Sequence, residues 1–273
     1  MKRALVALAA LALAAFCLAP FLWSVLTSVK PNAEVFAIPP TYVPERLSLE
    51  NYRGVFEQRP FARYVWNSVT VAALSTLFAI LAAAPAAYAL ARFRLRGSAA
   101  FERTVLVFAL FPPAMLLAPL HAAARVAGWT NSLTALALVH AALNLPFAIW
   151  MLASFFRRLP VEIEEAALVD GFTRLQALVR VVAPLSAPAI AATAILVFIF
   201  SWNEFVLALT FLTRDDLRTV PVGIALLSGV TVYEIPWGQI SAAVVLTTLP
   251  VVAAVLAMQE RIVSGLTGGA VKG

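Results

Sequence analysis

"ALVALAALALAAFCLAPFLWSVLTSV", residues 4–29, carries no charged side chain from Ala4 to Val29. At ~1.5 Å per residue, a helix over this run exceeds the ~30 Å hydrocarbon layer of a bilayer and crosses it with some tilt. Lys2 and Arg3 precede the run as they would in a secretory signal, but the apolar core of such a signal needs only about 7 to 15 residues. The run is read as a retained first transmembrane helix.

The rest of the chain has the same character. Of 273 residues, 62% are hydrophobic and 12% charged, and the mean hydropathy is +0.91. A soluble domain carries about 25% charged residues. Backbone exposed to lipid must satisfy its own hydrogen bonds, so each long apolar run is predicted to be helical. Six are expected, over 4–29, 65–91, 104–122, 133–156, 185–210 and 240–259. Pro85, Pro112, Pro113, Pro119, Pro146 and Pro188 fall inside or beside these runs and predict kinks. No repeat occurs at a fixed period, and the expectation is an all-α protein with a single membrane domain over 1–273.

The formal charge of +6 could mark a nucleic-acid partner if the basic residues shared a soluble face. Instead they flank the apolar runs, where positive charge sets orientation. With the N-terminus inside, the inner segments hold Lys2, Arg3, Arg92, Arg94, Arg96, Arg103, Arg157, Arg158, Arg174, Arg180, Arg261 and Lys272. Both termini are thus expected in the cytoplasm, and the partner medium is the lipid bilayer, not nucleic acid. Residues 30–64, rich in proline and mixed charge, form an expected outer loop, as do 211–239. Tyr64, Trp66, Trp129 and Trp237 are expected at the outer membrane boundary, where amphipathic rings collect. Cys17 stands alone, which excludes a disulfide framework, and His121 and His140 read as packed or interfacial polar residues. No metal site is expected.

Between the fourth and fifth runs lies "PVEIEEAALVDGFT", residues 160–173, within a cytoplasmic loop over 157–184. Pro160 suits a helix start, and Glu162, Glu164 and Glu165 complement the helix dipole there. Ala166 and Ala167 continue the helix. Gly171 is its natural left-handed stop, and Thr173 can cap a second helix. In that second helix Leu175, Leu178, Val179 and Val182 recur at helical spacing, and Pro184 closes the segment. Two uses of the acids stand open: solvating a helix start, or docking a partner. Catalysis is disfavoured because no histidine, lysine or metal ligand converges on these carboxylates, and no catalytic residue is assigned.

At these residues the chain resembles the permease subunits of binding-protein-dependent ABC importers. Their signature reads EAA, three residues, G, nine residues, then I-x-L-P. Glu165, Ala166 and Ala167 are followed at that spacing by Gly171 and then by Val181, Val182, Ala183 and Pro184; Val181 replaces Ile and Ala183 replaces Leu. Further support comes from "WNSVTVAA" (66–73), "AAYALARFRLRG" (86–97), "LNLPFAIWMLASFFRRLP" (143–160), "FSWNEFVLAL" (200–209) and "GLTGGAVKG" (265–273). The likeness covers nearly the whole chain and points to the shorter maltose-type permease of the carbohydrate branch.

The resemblance implies a coupling helix that docks on a separate ATPase, through Glu165, Ala166, Ala167, Asp170, Gly171 and Pro184. It also implies that the tail residues Gly265, Leu266, Thr267, Gly268 and Gly269 reach that ATPase. The implied partners are a second, non-identical permease, two ATPase subunits and an extracytoplasmic solute-binding protein, in a bacterial or archaeal cytoplasmic membrane. The chain would be no enzyme and would bind no cofactor, ATP and Mg belonging to the partner ATPase. No G-x-x-x-x-G-K-[ST] phosphate loop occurs in it.

"FSWNEF" buries Asn203 and Glu204 in the fifth run, and an ionisable residue there faces a cavity or a partner. Glu204 reads as protonated, as bonded to a neighbouring helix, or, with Asn203 and Asn144, as part of a translocation pathway. Two rival functions stand beside this one. A stand-alone secondary transporter should show inverted repeats and broken helices about a midplane site, which are not evident. A membrane scaffold has no use for an ATPase lever.

Overall fold

The computed structural model describes residues 2–93, 97–109, 112–228 and 235–267, and every regular element among them is helical. In chain order these are α1 (Lys2–Ser28), α2 (Asn32–Val35), α3 (Glu50–Gln58), α4 (Phe61–Arg92), α5 (Ser98–Ala109) and α6 (Leu117–Val126). There follow α7 (Leu133–Phe156), α8 (Val161–Val169), α9 (Arg174–Ala177), α10 (Ala183–Leu185) and α11 (Ala187–Trp202). The last are α12 (Val206–Phe211), α13 (Val220–Leu227) and α14 (Trp237–Thr267). Among the described residues four stretches are long and apolar enough to cross a membrane: Lys2–Ser28, Phe61–Arg92, Leu133–Phe156 and Trp237–Leu256.

Two expected runs are broken. Over 104–122 the helix is not continuous: α5 ends at Ala109, Pro113–Leu116 form a 3-10 turn, and α6 starts at Leu117. Pro112 is extended at φ −63° and ψ 117°. A proline lacks the amide hydrogen a helix needs and pushes its predecessor out of helical geometry, so Pro112 and Pro113 together divide the run. Over 185–210 the helix stops at Trp202 and restarts at Val206. By contrast Pro20, Pro85, Pro146 and Pro250 sit inside continuous helices.

The chain divides into two compact units, one of Met1–Val65 with Thr219–Val252, the other of Trp66–Arg218 with Ala253–Gly273. The first has a core of Val55, Phe61, Tyr64, Val220, Leu227, Ala242 and Ala243. Glycines set its spacing. A Cβ on Gly223 would stand 2.3 Å from the Tyr64 ring, and one on Gly238 would stand 2.3 Å from Asn51 Oδ1. Asn51 in turn donates to the carbonyls of Ser28 (3.1 Å) and Lys30 (2.7 Å), satisfying the open end of α1. Tyr64, expected at a membrane boundary, is instead fully buried in this core, whereas Trp66, Trp129 and Trp237 are exposed.

The second unit packs alanine against alanine. Ala79, Ala83 and Ala87 of α4 share a core with Ala141, Ala148, Leu152, Ala153 and Phe156 of α7, and with Leu178, Val182 and Val197. Small side chains let helix axes approach closely, which is how helices associate where lipid offers no hydrophobic drive. Ser132 caps α7 by accepting from the Ala135 amide at 3.2 Å.

Candidate functional site

Two places in the second unit hold the residues singled out from sequence. The first is the helical hairpin joining α7 to α11. Its α8 begins after Pro160 and ends in a Schellman turn: Gly171 N–H donates to Leu168 O (3.1 Å) and Phe172 N–H to Ala167 O (3.0 Å), with Gly171 at φ +86°. The spacing of the EAA–G signature follows from this. Gly171 must fall four residues after Ala167 so that the last two amides can close on the α8 carbonyls. A Cβ at Gly171 would meet nothing within 4 Å, so glycine is required there by backbone conformation and not by crowding.

Thr173 then opens α9 with a capping box, its Oγ1 accepting from Gln176 N (3.3 Å) while its own N–H donates to Gln176 Oε1 (2.8 Å). The following turn, Leu178–Val182, widens into a π-helix. Of the stripe expected along this arm, Leu178 and Val182 are buried, but Leu175 and Val179 are 66% and 60% exposed. After α10 the chain bends by 83° into α11, between Pro184 and Pro188.

The hairpin has two faces. Glu162, Glu165, Ala166, Val169, Asp170, Gly171 and Pro184 are exposed, while Glu164 and Ala167 are buried. Glu164, for which the sequence offers a solvated helix start or a docking partner, is instead 2% exposed. Its Oε1 accepts from Tyr88 Oη and from Arg174 Nη1 (2.8 Å). Its Oε2 lies 2.9 Å from Arg92 Nε, an ion pair that falls short of hydrogen-bond geometry. Its helical register could have given the warning, because Glu164 shares the face of Ala167, three residues on.

The second place is an open cavity of about 490 Å³ between α7, the end of α11 and the start of α12. It brings together all three residues of the expected pathway, Asn144, Asn203 and Glu204. The break in the fifth run makes this possible. Glu204 folds its carboxylate onto the next helix, accepting from Leu207 N (2.8 Å) and Ala208 N (3.0 Å). His140 Nε2 stands 3.2 Å from Glu204 Oε2, and Nδ1 of the same ring is 2.8 Å from Ser201 Oγ.

Glu204 thus caps α12 with its carboxylate and faces α7 through His140, an approach at ion-pair distance that falls short of hydrogen-bond geometry. His140 was foreseen as a packed polar residue but not as the partner of Glu204; no spacing links residues this far apart in sequence. Asn144 and Asn203 each return a side-chain amide to their own helix, at His140 O (2.8 Å) and Ile199 O (2.9 Å), which leaves their carbonyl oxygens for other partners. Phe147 and Phe200 meet edge to face at 5.4 Å on the apolar wall.

Of the tail residues, Gly265, Leu266 and Thr267 belong to the last turn of α14, which runs past the expected limit of 259. Gly268 and Gly269 lie outside the described residues. Among the described residues, no three His, Cys, Asp or Glu side chains gather closely enough to hold a metal ion.

This architecture is that of an ABC-importer membrane subunit. It matches a chain of a bacterial ABC transporter involved in the import of the acidic polysaccharide alginate with TM-score 0.79, over 96% of this chain and 97% of that one, at 22% identity. The inward-facing MetNI methionine ABC transporter gives 0.60 over 75% and 95%, at 20% identity. At such identities the likeness is one of fold. Sequence carries it further: residues 75–268 match the family of binding-protein-dependent transport system inner membrane components, and the chain belongs to that family.

Relatives include the trehalose/maltose transport system permease protein MalG of Thermococcus litoralis, 41% identical over 100% of this chain and 98% of that protein. The sulfoquinovosyl glycerol transport system permease protein SmoH of Agrobacterium fabrum is 43% identical over 93% and 88%. The trehalose transport system permease protein SugB of Mycobacterium tuberculosis is 38% identical over 94% and 93%. The protein is therefore a multi-pass inner-membrane permease of an ABC importer. Permeases of this family are translocation components, and membership implies a partner ATPase that carries the ATP chemistry, a binding protein and a second permease.

Proposed function

We propose that this permease carries a sugar or sugar-like solute, with six membrane spans and both termini in the cytoplasm of a bacterium or archaeon. In this reading two ATPase subunits drive it through the 160–184 hairpin, a non-identical second permease completes the pathway, and an extracytoplasmic binding protein delivers the solute. The observation that carries the coupling role is the exposed face of the hairpin. Val169 is 87% exposed, and Leu175, Val179 and Val161 stand out beside Glu165 and Asp170. A fixed helical hairpin that leaves aliphatic side chains uncovered among charged ones is suited to another protein surface. Glu165, Ala166, Ala167, Asp170, Gly171 and Pro184 form or shape that surface.

The solute class is supported by the sugar-related names of the relatives and by the chemistry of the cavity. Asn144, Asn203 and Glu204 offer acceptors for hydroxyl groups, and Phe147 and Phe200 offer apolar faces. The tail Gly265, Leu266, Thr267, Gly268 and Gly269 is proposed to reach the ATPase.

The test is reconstitution of the complex in proteoliposomes with a panel of sugars and polyols supplied to its binding protein. ATP-dependent uptake of at least one is expected; uptake driven by a proton or sodium gradient without the ATPase would overturn the reading. Glu165→Lys should lower ATPase co-purification at unchanged membrane insertion. Deleting 265–273 should lower uptake per ATP, and unchanged coupling would make the tail a frayed end.

A further inference from the structure

Glu164 is a buried acid that no part of the docking face explains. It points away from that face, into the last turn of α4. Tyr88 and Arg92, one helical turn apart on α4, both reach it, and Arg92 Nη2 also donates to Leu159 O at 3.1 Å, just ahead of α8. From the far side of the Gly171 turn, Arg174 of α9 closes on the same carboxylate, and its guanidinium lies 5.3 Å over the Phe93 ring, which packs edge to face on Tyr88 at 6.0 Å. One side chain thus ties both arms of the hairpin to one turn of one membrane helix. Ala167, on the same face of α8, is small enough to allow the approach.

We propose that Glu164 is a positioning residue for transport: it makes α8, α9 and the end of α4 move as one body. A push on the hairpin then reaches α4 through a buried charge cluster, as well as α11 through the covalent chain. Without it, only the apolar packing of Leu178 and Val182 against α4 would join the two, a contact that can slide, and ATP would be hydrolysed with less movement of solute. Covalent connection alone does not reach α4, which is separated from the hairpin by α5, α6 and α7. This inference rests on the docking role proposed for the hairpin.

The test compares Glu164→Gln, which keeps the shape and loses the charge, with Gly171→Val, which disrupts the docking turn, in the assembled complex in proteoliposomes. For Glu164→Gln, ATPase co-purification and ATPase rate are expected within twofold of the parent, and solute moved per ATP is expected to fall at least tenfold. A parental ratio in Glu164→Gln alongside a defective Gly171→Val overturns the role of Glu164 and leaves docking standing. Parental behaviour of both variants overturns the docking reading itself. If Glu164→Gln does not assemble, Tyr88→Phe decides, since it removes one hydrogen bond and no charge: about a threefold lower ratio supports the proposal, and an unchanged ratio overturns it.

Discussion

Glu164 and Glu204 are both carboxylates drawn into the second unit, but they are neutralised in different ways. Glu164 is met by two guanidiniums and a phenol and is closed off from solvent. Glu204 is met by two helix amides and a histidine and keeps 20% of its side chain exposed, on the wall of a cavity. The first arrangement fixes elements to one another, because full charges held in a buried cluster tolerate little displacement. The second organises a chain break and leaves acceptor capacity open to a passing solute. One carboxylate is a fastening and the other a lining.

The strongest way to break this contrast is to remove each charge outright. Glu164→Ala leaves Arg92, 5% exposed, buried beside no carboxylate. Breaking a buried pair in this way costs roughly 3 kcal/mol or more. Glu204→Ala loses a cap and a partly solvated partner, at about 1 kcal/mol. Melting of the purified complex in detergent should therefore fall several degrees further for Glu164→Ala. Equal shifts would mean that Glu164 is no more a fastening than Glu204.

Next in size is the turn that holds the hairpin in place. Gly171→Val forces a β-branched residue into φ +86°, a cost of about 2 kcal/mol, whereas Gly171→Asn enters that region readily. Uptake should be abolished in the first and stay within about twofold of the parent in the second, both inserting normally. Because a Cβ there meets nothing within 4 Å, equal loss in the two variants would point to crowding by a partner surface and not to the backbone.

In the sequence Glu204 is conspicuous and Glu164 is not, for a physical reason. Glu204 stands alone in an apolar run, so its cost in a membrane makes it conspicuous. Glu164 sits among Glu162, Glu165 and Asp170, where an acid is expected to be solvated. Its burial depends on Tyr88 and Arg92, which lie far away in sequence. The long helices were legible because α1, α4 and α7 each follow one uninterrupted apolar run. The breaks were less so, since Pro85 and Pro146 are absorbed in continuous helices while Pro112 and Pro113 divide one. The difference lies in the doubled proline, which takes two successive amides from the helix ladder. The hairpin was legible down to Gly171 and Thr173 because caps are written in local chemistry. The partners of Glu204 were not, because His140 and Ser201 meet only once α7 and α11 have packed.

A smaller effect is expected at the lining. Glu204→Gln keeps the acceptor for Leu207 N but removes the charge that faces His140. It also takes the second carboxylate oxygen from Ala208 N, and a hydrogen bond to a charged group is worth ~1.5 kcal/mol or more, so uptake should fall about tenfold with little change in melting. Unaltered uptake and ATPase activity would remove Glu204 from the pathway.

The finest test asks whether the histidine matters only as a support. Ser201 Oγ is hydrogen-bonded to one nitrogen of the His140 ring and Glu204 Oε2 stands 3.2 Å from the other, so the serine bond and the facing carboxylate together orient the ring. Ser201→Ala removes one of the two holds and no charge, at ~1 kcal/mol. If the ring serves only to position Glu204, the remaining carboxylate contact still orients it, and uptake should drop by about threefold or less. A drop as large as that of Glu204→Gln would make the serine a part of the lining in its own right. The cavity would then be organised by three side chains acting together, not by one carboxylate with a supporting ring.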